Sequence, residues 1–387
     1  MRRLALLLAS VLVALPALAA RDELHLYNWN NYLAPETVKR FEEFCKCRVV
    51  QTYYSDNEEL LAKLAAGAKG YDMYVPTTQI LPTLIRSGRL QPIDKAKLPN
   101  LTNIDPAYLD TPFDPGNKFS VPYAYTTTII GYNDAKLKEL GLPADTWALI
   151  FDPRHLAKIK GRITVLDSAH ELLAAALMYL GYPASDVDPR HWDEAVAVIK
   201  KAKPYWAAFN ASSYIKELTV GNIWVAHGYS GDIFQADVDA QVAGRKFRLL
   251  QGMPREGAVI GVDNMVIDKS APRPDLALKF MNFMLEGRNS ADLTNLIGSG
   301  NPNAAAVKFI KPEILKYPAI FPDKAVQAKL VAVPELTGAQ RRLLNRLCWV
   351  KLTMRRALSA MRTLPSPRGS VKPYSGQRAQ ELTLRSP

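Results

Sequence analysis

Apolar positions along the chain recur with two alternating periods. Residues 23–27, Glu-Leu-His-Leu-Tyr, alternate polar with apolar side chains, as a half-buried strand does. Residues 38–44, opened by Pro35 and Glu36, carry their apolar side chains at helical spacing. Residues 48–54 again read as a strand. Ser55 and Glu58 then form a capping box, and Leu60, Leu61 and Leu64 continue it as a helix that Gly67 and Gly70 stop. Residues 71–75 make a third strand, ended by Pro76. This strand–helix rhythm predicts an α/β fold with a largely parallel sheet.

Residues 119–132 form one long β-rich stretch, of a kind that can leave one sheet and enter another. A second α/β block follows, with a strand at 162–166, helices at 171–180 and 192–201, and a strand at 223–226. Residues 246–250 and 258–262 read as strands returning toward the first block. Residues 274–286 form a helix with Leu276, Leu278, Phe280, Met281 and Phe283 on its apolar face. Two lobes are expected, with chain crossings near 125–132 and 242–252. Residues 21–128 plus 247–310 would make one lobe, and 129–246 plus 311–352 the other. More than one crossing implies a hinge and places a ligand in the cleft between the lobes.

The ends differ from the body. Arg2 and Arg3, the apolar run 4–15, Pro16 and the small-x-small Ala17-Leu18-Ala19 define a signal peptide over residues 1–20, too short for a spanning helix; the alternative is an uncleaved anchor. An exported, periplasmic protein is expected. The net charge of +12 invites a nucleic-acid reading. However, the segment 353–387 holds seven of the basic residues against Glu381 alone, and the body has no basic run with interleaved aromatics. Nucleic acid is therefore not an expected partner. The tail reads as disordered, with a basic arm for an anionic surface as the alternative. Cys45, Cys47 and Cys348 leave at least one thiol unpaired; free or buried thiols are expected, or a bridge from Cys45 or Cys47 to Cys348.

No enzymatic motif is present, and His25, His155, His170, His191 and His227 fit no metal spacing, so neither catalysis nor a metal or cofactor is expected. His227 reads as structural. What stands out is aromatic and acidic side chains just beyond the predicted strands, where open α/β sheets bind ligands. Tyr27-Asn-Trp-Asn-Asn-Tyr32 follows the first strand, Thr77 and Thr78 the third, and Asp167, Ser168 and Glu171 a strand of the second block. Tyr229, Asp232 and Asp263 complete the set. Aromatic faces with several carboxylates suit a flexible alkyl ammonium: rings attract the cation and cover its methylenes, and carboxylates take its charged ends.

The runs Tyr27-Asn-Trp-Asn-Asn-Tyr-Leu-Ala-Pro-Glu-Thr37, Gly70-Tyr-Asp-Met-Tyr-Val-Pro76, Gly228-Tyr-Ser-Gly-Asp-Ile233 and Pro254-Arg-Glu-Gly257 resemble the spermidine/putrescine-binding proteins of bacterial ABC importers. The resemblance runs from about residue 24 to 351. It implies a two-lobed periplasmic solute-binding fold (type II-like) that closes on a polyamine, acts as a monomer and hands its ligand to an importer permease. Carried over, Trp29 and Tyr32 correspond to the aromatic pair around the alkyl chain, and Asn30 and Thr77 to small polar contacts. Glu171, Asp232 and Asp263 correspond to amine-binding carboxylates, Tyr229 to a Trp or Tyr, and Ser168 to a position where spermidine-preferring members have Asp. Asn31 stands where an acid is usual, Gln79, Gly261 and Ser299 stand where an aromatic is usual, and Gly161 and Trp224 stand where some relatives pair cysteines. These departures leave open a paralogue that binds or senses another cationic amine, or that has lost transport. An exported hydrolase using Glu171 and Asp232 is the reading from another class.

Overall fold

The structure, a computed structural model, describes residues 22–54 and 57–347. The expected signal peptide, the Ser55 cap, Cys348 and the 353–387 tail lie outside the described residues. Among the described residues ten strands are formed: β1 (Glu23–Trp29), β2 (Arg48–Tyr54), β3 (Met73–Tyr74), β4 (Ser120–Asn133), β5 (Ile163–Val165), β6 (Ala208–Phe209), β7 (Val225–Tyr229), β8 (Leu249–Gly252), β9 (Ala258–Ile267) and β10 (Leu330–Val331). They are hydrogen-bonded in the order β2-β1-β3-β9-β4-β7-β5-β6, with β10 on β9 and β8 on β4.

The sheet is mixed rather than largely parallel. β2, β1 and β3 are mutually parallel, as are β7, β5 and β6. Antiparallel pairing through β9 and β4 joins the two sets. The reason is the long β4 segment, rich in β-branched and aromatic residues that suit a pleated, buried strand. Its first part pairs with β9 over Ser120–Thr128, and its last part pairs with β7 and β8. Register slips between Pro122 and Ala124, where proline offers no N–H to the ladder. β8 meets β4 only at Ile130–Asn133, so the chain returns to the first set along β9.

Each parallel set has its own core. Around the first, Leu24, Phe41, Met73 and Met281 pack on one side, and Tyr27, Leu60, Tyr74 and Leu84 on the other. Around the second, Trp147, Leu172, Trp192 and Val225 pack together, and Tyr214, Ala226 and Ile233 form a further cluster. The helix Ala169–Tyr179 is buried continuously from Glu171 to Met178, lying between the sheet and the helix Pro189–Ala202.

The cysteines correct the expectation of free thiols or a bridge to Cys348: Cys45 and Cys47 are bonded to each other. Lys46 ends the helix Pro35–Cys45 in the left-handed region, at φ 58°. That turn brings the two flanking Cα atoms to 5.2 Å, within the ordinary span of a disulfide.

Candidate functional site

The first half of the site is assembled from β1, β9 and the loop after β3. Asn28, buried at the end of β1, accepts from the Trp29 N–H at 2.8 Å. The Trp29 indole N–H donates to the Val75 carbonyl at 2.8 Å, and its ring lies 4.6 Å from that of Tyr54. The chain turns through Asn31 in the left-handed region, at φ 57°, and Asn30 lies exposed in that turn. Tyr32 then points back to β9. Its hydroxyl donates to Asp263 Oδ2 at 2.6 Å, while Thr77 donates to Asp263 Oδ1 at 2.9 Å. Asp263 is buried, and burial pushes its carboxyl up to about 6 against the pull of the Tyr32 and Thr77 hydroxyls.

The second half comes from β7 and two helix starts. Ser168 caps the helix Ala169–Tyr179, accepting from the Glu171 N–H at 3.5 Å. This sets Glu171 in the first turn, buried, with Oε2 lacking a hydrogen-bond partner. Burial pushes its carboxyl up to about 7, opposed by the Thr128 side chain. Asp232 lies in the first turn of the helix Ser230–Val242, where its Oδ2 accepts from the Tyr214 hydroxyl at 2.6 Å. Burial raises this carboxyl too, and Tyr214 opposes the rise. The same Tyr214 oxygen accepts from the Tyr229 N–H at 3.1 Å.

Sheet register shows how the halves meet. Across β4, Ala124 faces Asp263, Thr126 faces Gly261, and Thr128 faces both Val259 and Tyr229. Directly opposed residues share a face, so Asp263, Gly261, Thr126, Thr128 and Tyr229 stand on one side of the sheet. The Tyr229 phenol is pushed up first by burial, then by the charges of Glu171, Asp232, Glu58 and Asp263. Carboxylates from both halves therefore act on one ring.

Of the residues singled out in the sequence, Trp29, Tyr32, Thr77, Glu171, Tyr229, Asp232 and Asp263 are drawn into this region. Ser168 reaches it as the cap beneath Glu171, and Asn30 sits at the exposed rim. Thr126, Thr128 and Tyr214 were not singled out. Thr126 acts on the Tyr32 phenol and Thr128 on Glu171. Their signal was the alternation at 124, 126 and 128 in the strand-like run. Glu58, read as a capping residue, also contributes its charge at Tyr229.

The departures have structural counterparts. A Cβ added at Gly261 would meet only Thr77 Cγ2, at 3.4 Å. Ser299 is buried with its Oγ unpartnered. His227 is held neutral by burial, its pKa lowered to about 3, and its Nδ1 accepts from the Leu166 N–H at 3.4 Å. Among the described residues no cluster of His, Cys, Asp and Glu could hold a metal, and no helix is long and apolar enough to cross a membrane.

Two α/β halves joined by crossing strands, with rings and desolvated carboxylates facing one another at the junction, define a two-lobed solute-binding fold with an inter-lobe cleft and hinge. The family of bacterial extracellular solute-binding proteins matches residues 36–322, and the chain belongs to it. It is 54% identical over 350 residues to a putrescine/cadaverine-binding protein of Pseudomonas aeruginosa, a match covering 90% of this chain and 99% of the relative. It is 36% identical to the putrescine-binding periplasmic protein PotF of Escherichia coli, over 83% of this chain and 89% of the relative. Among solved structures, the spermidine/putrescine substrate-binding protein PotD of Streptococcus pneumoniae superposes with a TM-score of 0.76 at 27% identity, over 87% of this chain and 99% of that one.

Proposed function

We propose that the protein captures a small aliphatic diamine or polyamine of the putrescine–cadaverine class in the periplasm and delivers it to the permease of an ABC importer. Glu171, Asp232 and Asp263 take the ammonium charges. Trp29, Tyr32 and Tyr229 cover the methylenes, and Asn30, Thr77 and Ser168 complete the polar lining. Lobe boundaries near 128, 246 and 310 put Asp263 on one lobe and Glu171 on the other, so closure brings both onto the same guest. The protein works as a monomer, without cofactor, metal or nucleic acid, and binds rather than transforms its ligand.

The observation that carries this reading is the set of carboxylates from both halves acting on the Tyr229 ring. Desolvated carboxyls gain most from an incoming cation, because the ammonium restores the charge stabilisation that water no longer supplies. The relatives named for putrescine and cadaverine support the choice of ligand. The test is calorimetric titration of the exported protein with putrescine, cadaverine and spermidine. Saturable binding of at least one diamine is expected. Absence of heat with all three, up to millimolar concentration, would refute the proposal.

A further inference from the structure

The segment after β10 is anchored at both ends on the second lobe. Val333 is fully buried in the core of the second parallel set, and Leu336, Leu343 and Leu344 pack against that core. The helix Gly338–Leu347 lies on Ala169–Tyr179. Between these anchors, Glu335 turns to the opposite lobe. Its Oε1 accepts from the Thr83 hydroxyl, and its Oε2 accepts from the Arg86 guanidinium at 2.7 Å. Thr83 and Arg86 belong to the short helix Leu81–Arg86, whose Leu81 and Leu84 pack with Tyr27, Tyr54 and Val266 in the first lobe.

Two features set this pair apart from an ordinary surface ion pair. Glu335 is mostly covered, its side chain 20% exposed, although Arg86 is 64% exposed. Burial acts to raise the Glu335 carboxyl, but Thr83 and Arg86 outweigh it and hold the group below its usual value. The location also matters. Pro334 and Leu336, on either side of Glu335, line a small pocket with His170, the residue next to Glu171. The helix Leu81–Arg86 follows directly on the turn Thr78–Ile80, which adjoins Thr77 at Asp263. One carboxylate therefore ties the cleft edge beside Asp263 to the element carrying Glu171.

We propose that Glu335 is an inter-lobe latch: its bonds to Thr83 and Arg86 stabilise the closed arrangement of the lobes and slow release of the guest. Opening about the β4–β9 ladder moves the Leu81–Arg86 helix with the first lobe and the strap with the second. Thr83 and Arg86 are carried by the first lobe and Glu335 by the strap anchored on the second, so the three side chains separate when the cleft opens. The latch touches no residue assigned to the ligand, and it acts on the closed–open equilibrium alone. A half-exposed pair contributes modestly and is screened by salt, which suits a latch that must also release.

The test uses Glu335→Gln, Arg86→Gln and the double variant in the full-length exported protein. Nitroxide labels at Lys69→Cys and Lys200→Cys, in a Cys348→Ser background, report lobe separation in the ligand-free protein. Both single variants should shift the interspin distances outward, and the double variant should add little. In stopped-flow fluorescence, putrescine should leave each variant about two- to tenfold faster, with less salt dependence than in the unsubstituted protein. This kinetic arm rests on the proposed ligand; the distance arm does not. Distances matching the unsubstituted protein in both single variants would overturn the latch. Outward shifts without any response to putrescine, cadaverine or spermidine would sustain the latch and refute the ligand reading.

Discussion

The Tyr32 hydroxyl donates to Asp263 Oδ2 at 2.6 Å, although 231 residues separate the two. Thr77 holds the other carboxylate oxygen at 2.9 Å, so Asp263 is oriented by two hydroxyls before any guest arrives. Each carboxylate oxygen can accept more than one hydrogen bond. An ammonium can therefore join without displacing either hydroxyl, and little ordering remains to be done on binding.

Asp263→Asn removes the charge and forces an amide NH₂ toward one of the two hydroxyl donors. Truncating one member of a buried, hydrogen-bonded charge pair typically costs about 2–5 kcal/mol, so diamine affinity should fall by about 30-fold or more. Calorimetry on the variant, with circular dichroism as the check on folding, measures this. Affinity within threefold of the unsubstituted protein would remove Asp263 from the ligand site.

The pH dependence follows from the two raised carboxyls. Burial pushes Glu171 up to about 7 and Asp263 up to about 6. In the ligand-free protein, a carboxyl whose folded pKa exceeds its unfolded value contributes stability that is fully present below the unfolded value. That contribution is lost as pH rises, here through about 6 and then about 7. A bound ammonium reverses the preference by favouring the ionised form. Affinity should therefore rise between about pH 5 and pH 8, with protons released on binding near pH 6. Titration in two buffers of different ionisation enthalpy reads both effects; a flat profile without proton release would contradict the assignment.

Thr128→Val separates this mechanism from a purely steric one. The Thr128 side chain holds the Glu171 carboxyl lower than burial alone would. Its loss should move the midpoint of the affinity–pH curve upward and weaken binding near neutrality, with recovery in more alkaline solution. Equal weakening at every pH would show that Thr128 matters for shape rather than for the charge on Glu171.

Much of this was legible in the sequence, and the exceptions have physical causes. β2 was readable over its full length, because β-branched and aromatic residues end abruptly at both ends of the run. The antiparallel join between the parallel sets was not, because strand direction is set by which distant strand a segment meets; the 120–133 pattern is compatible with either. The Cys45–Cys47 bond depended on a left-handed Lys46, a conformation that the residue type itself does not announce. Glu171 stood out as an acid just beyond a strand; Asp263, expected beyond a strand ending at 262, lies instead inside β9, which runs on to Ile267 and reaches the site by its face and not by its end. Thr126 and Thr128 did not stand out, since small hydroxyl residues in a strand look like any β-branched filler until register places them beside a carboxyl.

Asp237 offers a test of the scaffold apart from the ligand. It is buried in the helix Ser230–Val242 and accepts from Arg248 Nε at 3.0 Å and from the Leu249 N–H at 2.8 Å, fastening β8 to that helix. Asp237→Ala strands the Leu249 donor and frees a guanidinium that is itself half exposed. A loss of about 2–4 kcal/mol in urea denaturation is expected. A change below 1 kcal/mol would mean that β8 is held by sheet pairing alone.

Gly261 tests what sets selectivity. Its position opposite Thr126 puts it on the site face of the sheet, two residues before Asp263. An added Cβ would meet only Thr77 Cγ2, at 3.4 Å, so no backbone requirement keeps glycine there. The missing side chain leaves room beside the guest. Gly261→Phe should fold normally and place a ring against the alkyl chain. Each such contact contributes about 0.5–2 kcal/mol, or roughly two- to thirtyfold in affinity for a short diamine. The same ring takes up space that a longer or thicker guest would use, so the ratio of putrescine to spermidine affinity should rise. Competition calorimetry with both amines measures that ratio. An unchanged ratio in a folded variant would place Gly261 outside the volume the ligand occupies.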